Sequence, residues 1–223
     1  MKNMSLAKLI VGIVVSGACT NVAWADANSG VFIGSSFTYV RSSVDFQTTF
    51  DGIFGLYRHT VTMKESSGSL GGSIRAGYII SPNHRTYFEF NNVAKTEHDI
   101  DGSNVHIKGE QSFKTFTLGY AFTPSSGEKS RFLLDVHVGR ASARARETIT
   151  SGFTVMKEDM KFSGTVIGIK LGGIYEIIEN GEIEYGVKMD GYSYGDLTSQ
   201  SGRITAKREQ TDVGLFIGVN YKF

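Results

Sequence analysis

Period-two alternation runs through most of this 223-residue chain and restricts its fold more than any other feature. A β-strand sends successive side chains to opposite faces, so about ten residues with one parity apolar and the other small or polar describe a sheet whose two faces meet different media. Eight segments satisfy this. They are Val31 to Tyr39, Leu70 to Ile80, a short one setting Phe88 and Phe90 against Glu89 and Asn91, Phe116 to Phe122, Phe132 to Val138, Ile167 to Tyr175, Ile183 to Met189, and Val213 to Phe223.

The connections alternate as well. Short ones fall near 81–85, 123–130 and 179–181, and long ones near 42–67, 96–110, 144–160 and 195–207, so short and long ends lie on opposite sides of an antiparallel meander. Both prolines, Pro82 and Pro124, sit in short connections, where a missing N–H breaks no ladder. Keeping one apolar face across the sixth and seventh strands requires paired positions whose numbers sum to an even value. A three-residue loop, Glu179-Asn180-Gly181 with Gly181 left-handed, meets that condition and sets Lys170 opposite Asp190, whereas a two-residue Asn180-Gly181 turn does not.

The N-terminus reads as a secretory leader: Lys2 and Lys8, an apolar run from Leu9 to Ala18, then Ala23-Trp24-Ala25 with small residues at a cleavage site. Cleavage after Ala25 divides the chain into a leader, 1–25, and a single unit, 26–223, of 223 − 25 = 198 residues. The only cysteine, Cys19, falls in the leader, and Ser16 stands where lipidation needs a large aliphatic residue. The mature unit therefore has neither disulfide nor thiol chemistry. Beyond the leader no apolar stretch is long enough for a membrane-spanning helix. A net charge of +1 supplies no field for nucleic acid.

A soluble sandwich and a membrane barrel both alternate, and the residues on the polar parity separate them. That parity carries Arg75, Glu89, Asp135, His137, Lys170, Glu184, Lys188, Asp190 and Asp212 among Gly, Ser and Thr, a set suited to a narrow lumen in which ion pairs satisfy one another. Aromatics on the apolar parity (Tyr78, Phe122, Phe132, Tyr175, Tyr185, Tyr221) gather at the short-connection ends, as an interfacial girdle does. The expectation is an all-β fold: an eight-stranded antiparallel up-and-down transmembrane β-barrel with short periplasmic turns and long extracellular loops, closed because lipid tolerates no open edge. Charges on the lumen side either line a pore or, as an eight-stranded interior favours, form a closed network, with Arg75 near Glu89 and Lys170 near Asp190.

These residues resemble the small eight-stranded outer-membrane proteins of Gram-negative bacteria: the transmembrane part of outer-membrane protein A, the Ail-like and X-type proteins, and the opacity proteins. The resemblance covers the leader, the eight strands and the final stretch from Val213 to Phe223, which is similar to a β-signal with Tyr221 and Phe223 as its aromatic positions. It implies an outer-membrane location, contact with membrane lipid and lipopolysaccharide, handling by the outer-membrane assembly machinery, a monomer, and a role in adhesion, host interaction or serum resistance. No motif selects a subfamily.

Some barrels of this size modify lipid A, so catalysis is the competing function, with a small pore or a purely structural role as further alternatives. The deacylase arrangement needs a Ser two residues after a strand His, but His137 is followed by Val138 and Gly139, and no Asp-Ser pair serves the acyltransferase type. His98 beside Asp99 lacks a nucleophile. The chain is expected not to be an enzyme and to carry no cofactor. Asp99, Asp101, Ser103 and Glu110 reproduce part of a calcium-loop spacing, but Asn104 replaces the required Gly, and the scattered histidines make no metal site. What remains is the long connections. The first carries Phe46, Phe50, Phe54, Tyr57 and Arg58, either a contact patch for a host surface ligand or an extension of the barrel wall. The third carries Arg144, Arg146, Lys157 and Lys161, either lipopolysaccharide phosphate ligands or solvated charges.

Overall fold

The computed structural model describes residues 30–51, 58–101, 105–151, 154–195, 197–198 and 204–223; within these, the side chains at 46, 48–51, 58–65, 94–101, 105–109, 111, 145–151, 154–160, 197–198 and 204–206 are not described. The leader assigned to 1–25, and Phe54 and Tyr57 of the first long connection, lie outside the described residues. The strands are β1 (Gly30–Asp51), β2 (Arg58–Ser81), β3 (His84–Asp101), β4 (Val105–Phe122), β5 (Ser130–Ser151), β6 (Thr154–Ile178), β7 (Gly181–Tyr194), β8 (Leu197–Thr198) and β9 (Ile204–Lys222). From β1 to β7 each pairs antiparallel with the next, β7 and β8 both pair with β9, and β1 pairs with β9, from Phe32 opposite Lys222 to Phe50 opposite Ile204, which closes the sheet. The two residues of β8 resume the β7 ladder on β9 one residue out of step, so β7 and β8 share one position in the wall and the barrel has eight strands.

The strands are much longer than the alternation suggests. The ladder between β1 and β2 continues to Asp51 opposite Arg58, and that between β5 and β6 to Ser151 opposite Thr154. Most of the segments at 42–67, 96–110 and 144–160 are therefore strand, and Phe46, Phe50 and Arg58 are wall positions, not loop residues. The calcium-like spacing is likewise split, with Asp99 and Asp101 on β3 and Glu110 on the facing β4. Thr- and Val-rich runs such as Thr60-Val61-Thr62 have strand propensity without alternation. Period-two contrast marks where a strand borders hydrocarbon, not where the strand stops.

The β6–β7 register has the required even sum by another route. A two-residue turn at Glu179-Asn180 is combined with a bulge between Glu176 and Ile178, Gly181 opens β7 instead of adopting a left-handed turn, and Lys170 faces Lys188, not Asp190. The bulge restores the parity that the tight turn would have broken.

On β1 and on β3 to β7 the two faces exchange character at a similar height, while on β2 and β9 only the outer face changes, from apolar to polar. Near the short turns the outward positions are apolar: on β9, Val213, Leu215, Ile217, Val219 and Tyr221 are all exposed while Asp212 and Asn220 are buried inside. From Val213 to Phe223 this band covers about 33 Å of strand, or roughly 25 Å of height at the tilt usual for such barrels, matching a bilayer core. Above the band the faces of β1, β4, β5 and β6 swap. Arg41, Lys114, Arg140, Lys161, Ser163 and Thr165 face outward, and Val40, Phe113, Ala141, Phe162 and Val166 are buried. An apolar outer wall needs hydrocarbon; an apolar interior under a polar wall needs water.

Candidate functional site

Three layers fill the lumen, two of them centred on charged residues and the uppermost apolar, all built from side chains that the strand parity turns inward. At the short-turn mouth, Glu182 of β7 receives Arg85 of β3 through two hydrogen bonds, Nη1 to Oε2 at 2.6 Å and Nη2 to Oε1 at 3.1 Å. It also receives Arg131 of β5, and Lys222 of β9 at 3.2 Å. One carboxylate thus ties four strands together. Phe32, Ile79 and Tyr87 form a buried apolar cluster, and the Arg85 guanidinium lies 5.9 Å from the Phe32 ring.

The middle layer is a continuous polar network. Arg75 of β2 donates to both oxygens of Glu184 at 2.8 and 3.0 Å and lies 3.8 Å from Glu89, whose closer partner is Lys170 at 2.8 Å. The Tyr87 hydroxyl donates to Asp135 at 2.7 Å; His137 Nδ1 lies 3.0 Å from Asp135 and Nε2 2.9 Å from Asp190, and Lys188 completes Asp190 at 2.8 Å. Asp212 accepts from Gln210, itself the acceptor of Arg208. Buried charges are tolerated only when paired in this way. The partner of Lys170 is therefore Glu89 rather than Asp190, because β6 meets β7 two residues away from the expected register. Arg75 does approach Glu89, but its hydrogen bonds, both from Nη1, go to Glu184.

Inward glycines create the space for this network. A Cβ at Gly168 would collide with Asp190 Oδ1 and lie 2.5 Å from His137 Nε2; one at Gly119 would enter the Tyr87 ring.

The upper layer was not foreseen in the sequence. Val93, Phe113, Ala141, Ala143, Phe162, Val166, Tyr192 and Tyr194 form a buried apolar cluster above the charges. Arg208 sits within it, fully buried, its guanidinium 4.8, 5.5 and 5.3 Å from the Phe113, Phe162 and Tyr194 rings. The available signal was the reversal of parity, Phe162 falling on the same face as Lys170 eight residues later.

The β1–β9 seam carries the chain's end. The Phe223 N–H donates to Val31 O at 2.9 Å, and the Tyr221 and Phe223 rings meet edge-on at 5.1 Å on the outer wall. Phe46, Phe50 and Arg58 stand on the extracellular wall, with Phe46 opposite Met63 and Phe50 opposite His59. Among the described residues, no group of three His, Cys, Asp or Glu side chains could hold a metal ion.

A sealed wall, apolar outside and ion-paired inside, defines a membrane-spanning β-barrel of the outer-membrane type. No family model and no curated protein matches the chain. Solved structures do. The outer membrane protease OmpT from Escherichia coli aligns over 90% of this chain and 99% of its own at 8% identity with a TM-score of 0.52. Ail, the attachment invasion locus protein of Yersinia pestis, aligns over 84% and 98% at 14% identity and a TM-score of 0.43. OprG of Pseudomonas aeruginosa aligns over 87% and 96% at 20% identity and a TM-score of 0.45. At these identities the likeness is one of fold.

Proposed function

We propose that the chain is exported by its leader, inserted through the β-signal ending at Tyr221 and Phe223, and works as a non-conducting surface protein whose extracellular wall contacts molecules outside the cell, in adhesion or host interaction. The observation that carries this reading is the extension of the β1–β2 ladder beyond the apolar band, from Arg41 to Asp51 opposite Arg58. Ten further residue steps raise a hydrogen-bonded wall roughly 25 Å above the membrane, a presented surface rather than a slack loop. The three lumen layers argue against transport. His137 supports a non-catalytic reading as well, since both ring nitrogens are engaged by carboxylates and neither is left for a substrate.

The test shortens the wall. Closing β1 and β2 at Asp45 and Lys64, which face each other, with a two-residue turn should reduce binding of expressing cells to host surfaces while heat-modifiable migration is kept. Unchanged binding removes this hairpin from the function. In planar bilayers the intact protein should show no steady single-channel current; a steady current would make it a pore.

A further inference from the structure

Where the faces of the wall exchange, one side of the barrel carries a cluster of outward cations. Lys114 of β4 is opposite Ser142 of β5, so it stands between Arg140 and Arg144, which flank Ser142 on the same face; Arg144 is in turn opposite Lys161 of β6. Diagonal neighbours on a sheet face are about 7–8 Å apart, within the span of one polyanionic group. The outward positions immediately around Lys114 and Arg140 are Asn92, Ser112, Ser142, Ser163 and Thr165, none of them acidic; Glu110, on the same face, lies higher, beside Arg144. Lys114 and Arg140 make no ion pair among the described residues.

The same place is concave. Lys114, Phe116, Arg140, Ser142, Ser163 and Thr165 border a depression of about 460 Å³ in the outer wall, shallow-floored because these strands carry small residues there. Its lower edge is aromatic: Phe90 and Phe116 are exposed toward the membrane band, and Phe88 stacks on Phe116 with ring centroids 5.9 Å apart. Across the barrel at this height the signs are mixed, with Arg41, Asp45, Lys207 and Glu209 on β1 and β9, and Arg41 is hydrogen-bonded to Ser66.

We propose that this depression is a binding site for the phosphorylated headgroup of an outer-leaflet glycolipid, one phosphate taken by Lys114 and Arg140 and the acyl chains laid along Phe90 and Phe116. Three features select such an occupant. The cations lie where the apolar band ends, the depth at which a lipid phosphate lies; arginine and lysine hold phosphate by charge-assisted hydrogen bonds; and the aromatic edge continues downward into hydrocarbon. A free anion would use the cations and leave the aromatic edge without a role. The inference concerns the wall and membrane lipid, and stands apart from the adhesive reading of the hairpins.

The full chain, refolded into phosphatidylcholine bilayers, tests it through the temperature at which the heat-modifiable form is lost. Bisphosphorylated lipid A should raise that temperature, and neither dephosphorylated lipid A nor inorganic phosphate should. Lys114→Gln with Arg140→Gln should raise the half-saturating lipid A fraction about tenfold, the loss expected for charge-assisted phosphate contacts, and Arg41→Gln should leave it unchanged. The proposal is overturned if dephosphorylated lipid A stabilises equally, if inorganic phosphate reproduces the shift, or if the double variant responds as the parent does. The lipid arms use the unaltered chain and so decide the matter even where a variant fails to fold. Cell binding is not measured, so a negative result here leaves the adhesive reading separately testable.

Discussion

His137 on β5 and Asp190 on β7 are hydrogen-bonded at 2.9 Å although β6 runs between them. The residue in that intervening row is Gly168, opposite His137 on one side and Asp190 on the other, so the bond passes over a position with no side chain. Replacing Gly168 with Ala forces a Cβ into both partners. The expected cost is about 1–3 kcal/mol, as for other overpacked interiors, read as a lower midpoint in urea unfolding from lipid vesicles. A neutral substitution would mean that the His137–Asp190 bond does not hold the network together.

Arg75 and Glu184 are both buried, and each is the other's closest ionic partner. Arg75→Met leaves Glu184 charged without its guanidinium and should destabilise by roughly 3–5 kcal/mol; adding Glu184→Leu should recover much of the loss, since an apolar pair needs no compensation. Equal losses for the single and double variants would show that the pair contributes by packing alone.

Leu215 and Thr211 are on the same outward face of β9, Leu215 within the apolar band and Thr211 above it. Leu215→Arg should cost about 2–4 kcal/mol in bilayer unfolding and Thr211→Arg close to nothing, the depth dependence of a cation facing lipid. If the two costs are alike, the band is misplaced.

Phe162 is fully buried, but in the layer above the membrane, where the interior is packed like that of a water-soluble protein. Phe162→Ala should therefore cost roughly 3–5 kcal/mol, comparable to an ordinary core truncation, and should be felt equally in detergent micelles and in bilayers. A loss seen only in bilayers would assign Phe162 to the lipid-dependent part of the fold.

How much of this could be read from the chain depended on what surrounds each strand. Where a strand borders hydrocarbon, the contrast between Leu215 or Ile217 and Asp212 or Asn220 is large and the parity is plain. Above it, Thr48-Thr49 and Thr60-Val61-Thr62 lie in strands that no alternation marks, so the wall's upper half reads in the sequence as loop. Membership of the lumen followed from parity alone, but partners did not: Lys170 joins Glu89 because a single bulge at the Glu179-Asn180 turn shifts β7 along β6, and bulges leave no simple trace in composition. The apolar cluster around Arg208 was missed because a buried arginine ringed by aromatics depends on four strands meeting, and no one strand records it.

The height at which the outer apolar band gives way to small and polar residues also fixes how deep the molecule sits. If the barrel sank by one pleat, Arg140 and Lys114 would enter hydrocarbon; if it rose by one, Phe37 and Leu70 would be left in water, and neither shift has a compensating contact inside. The protein thus carries its own waterline, drawn around its whole circumference, so the height at which its outer hairpins stand is set by the barrel rather than by whatever they touch.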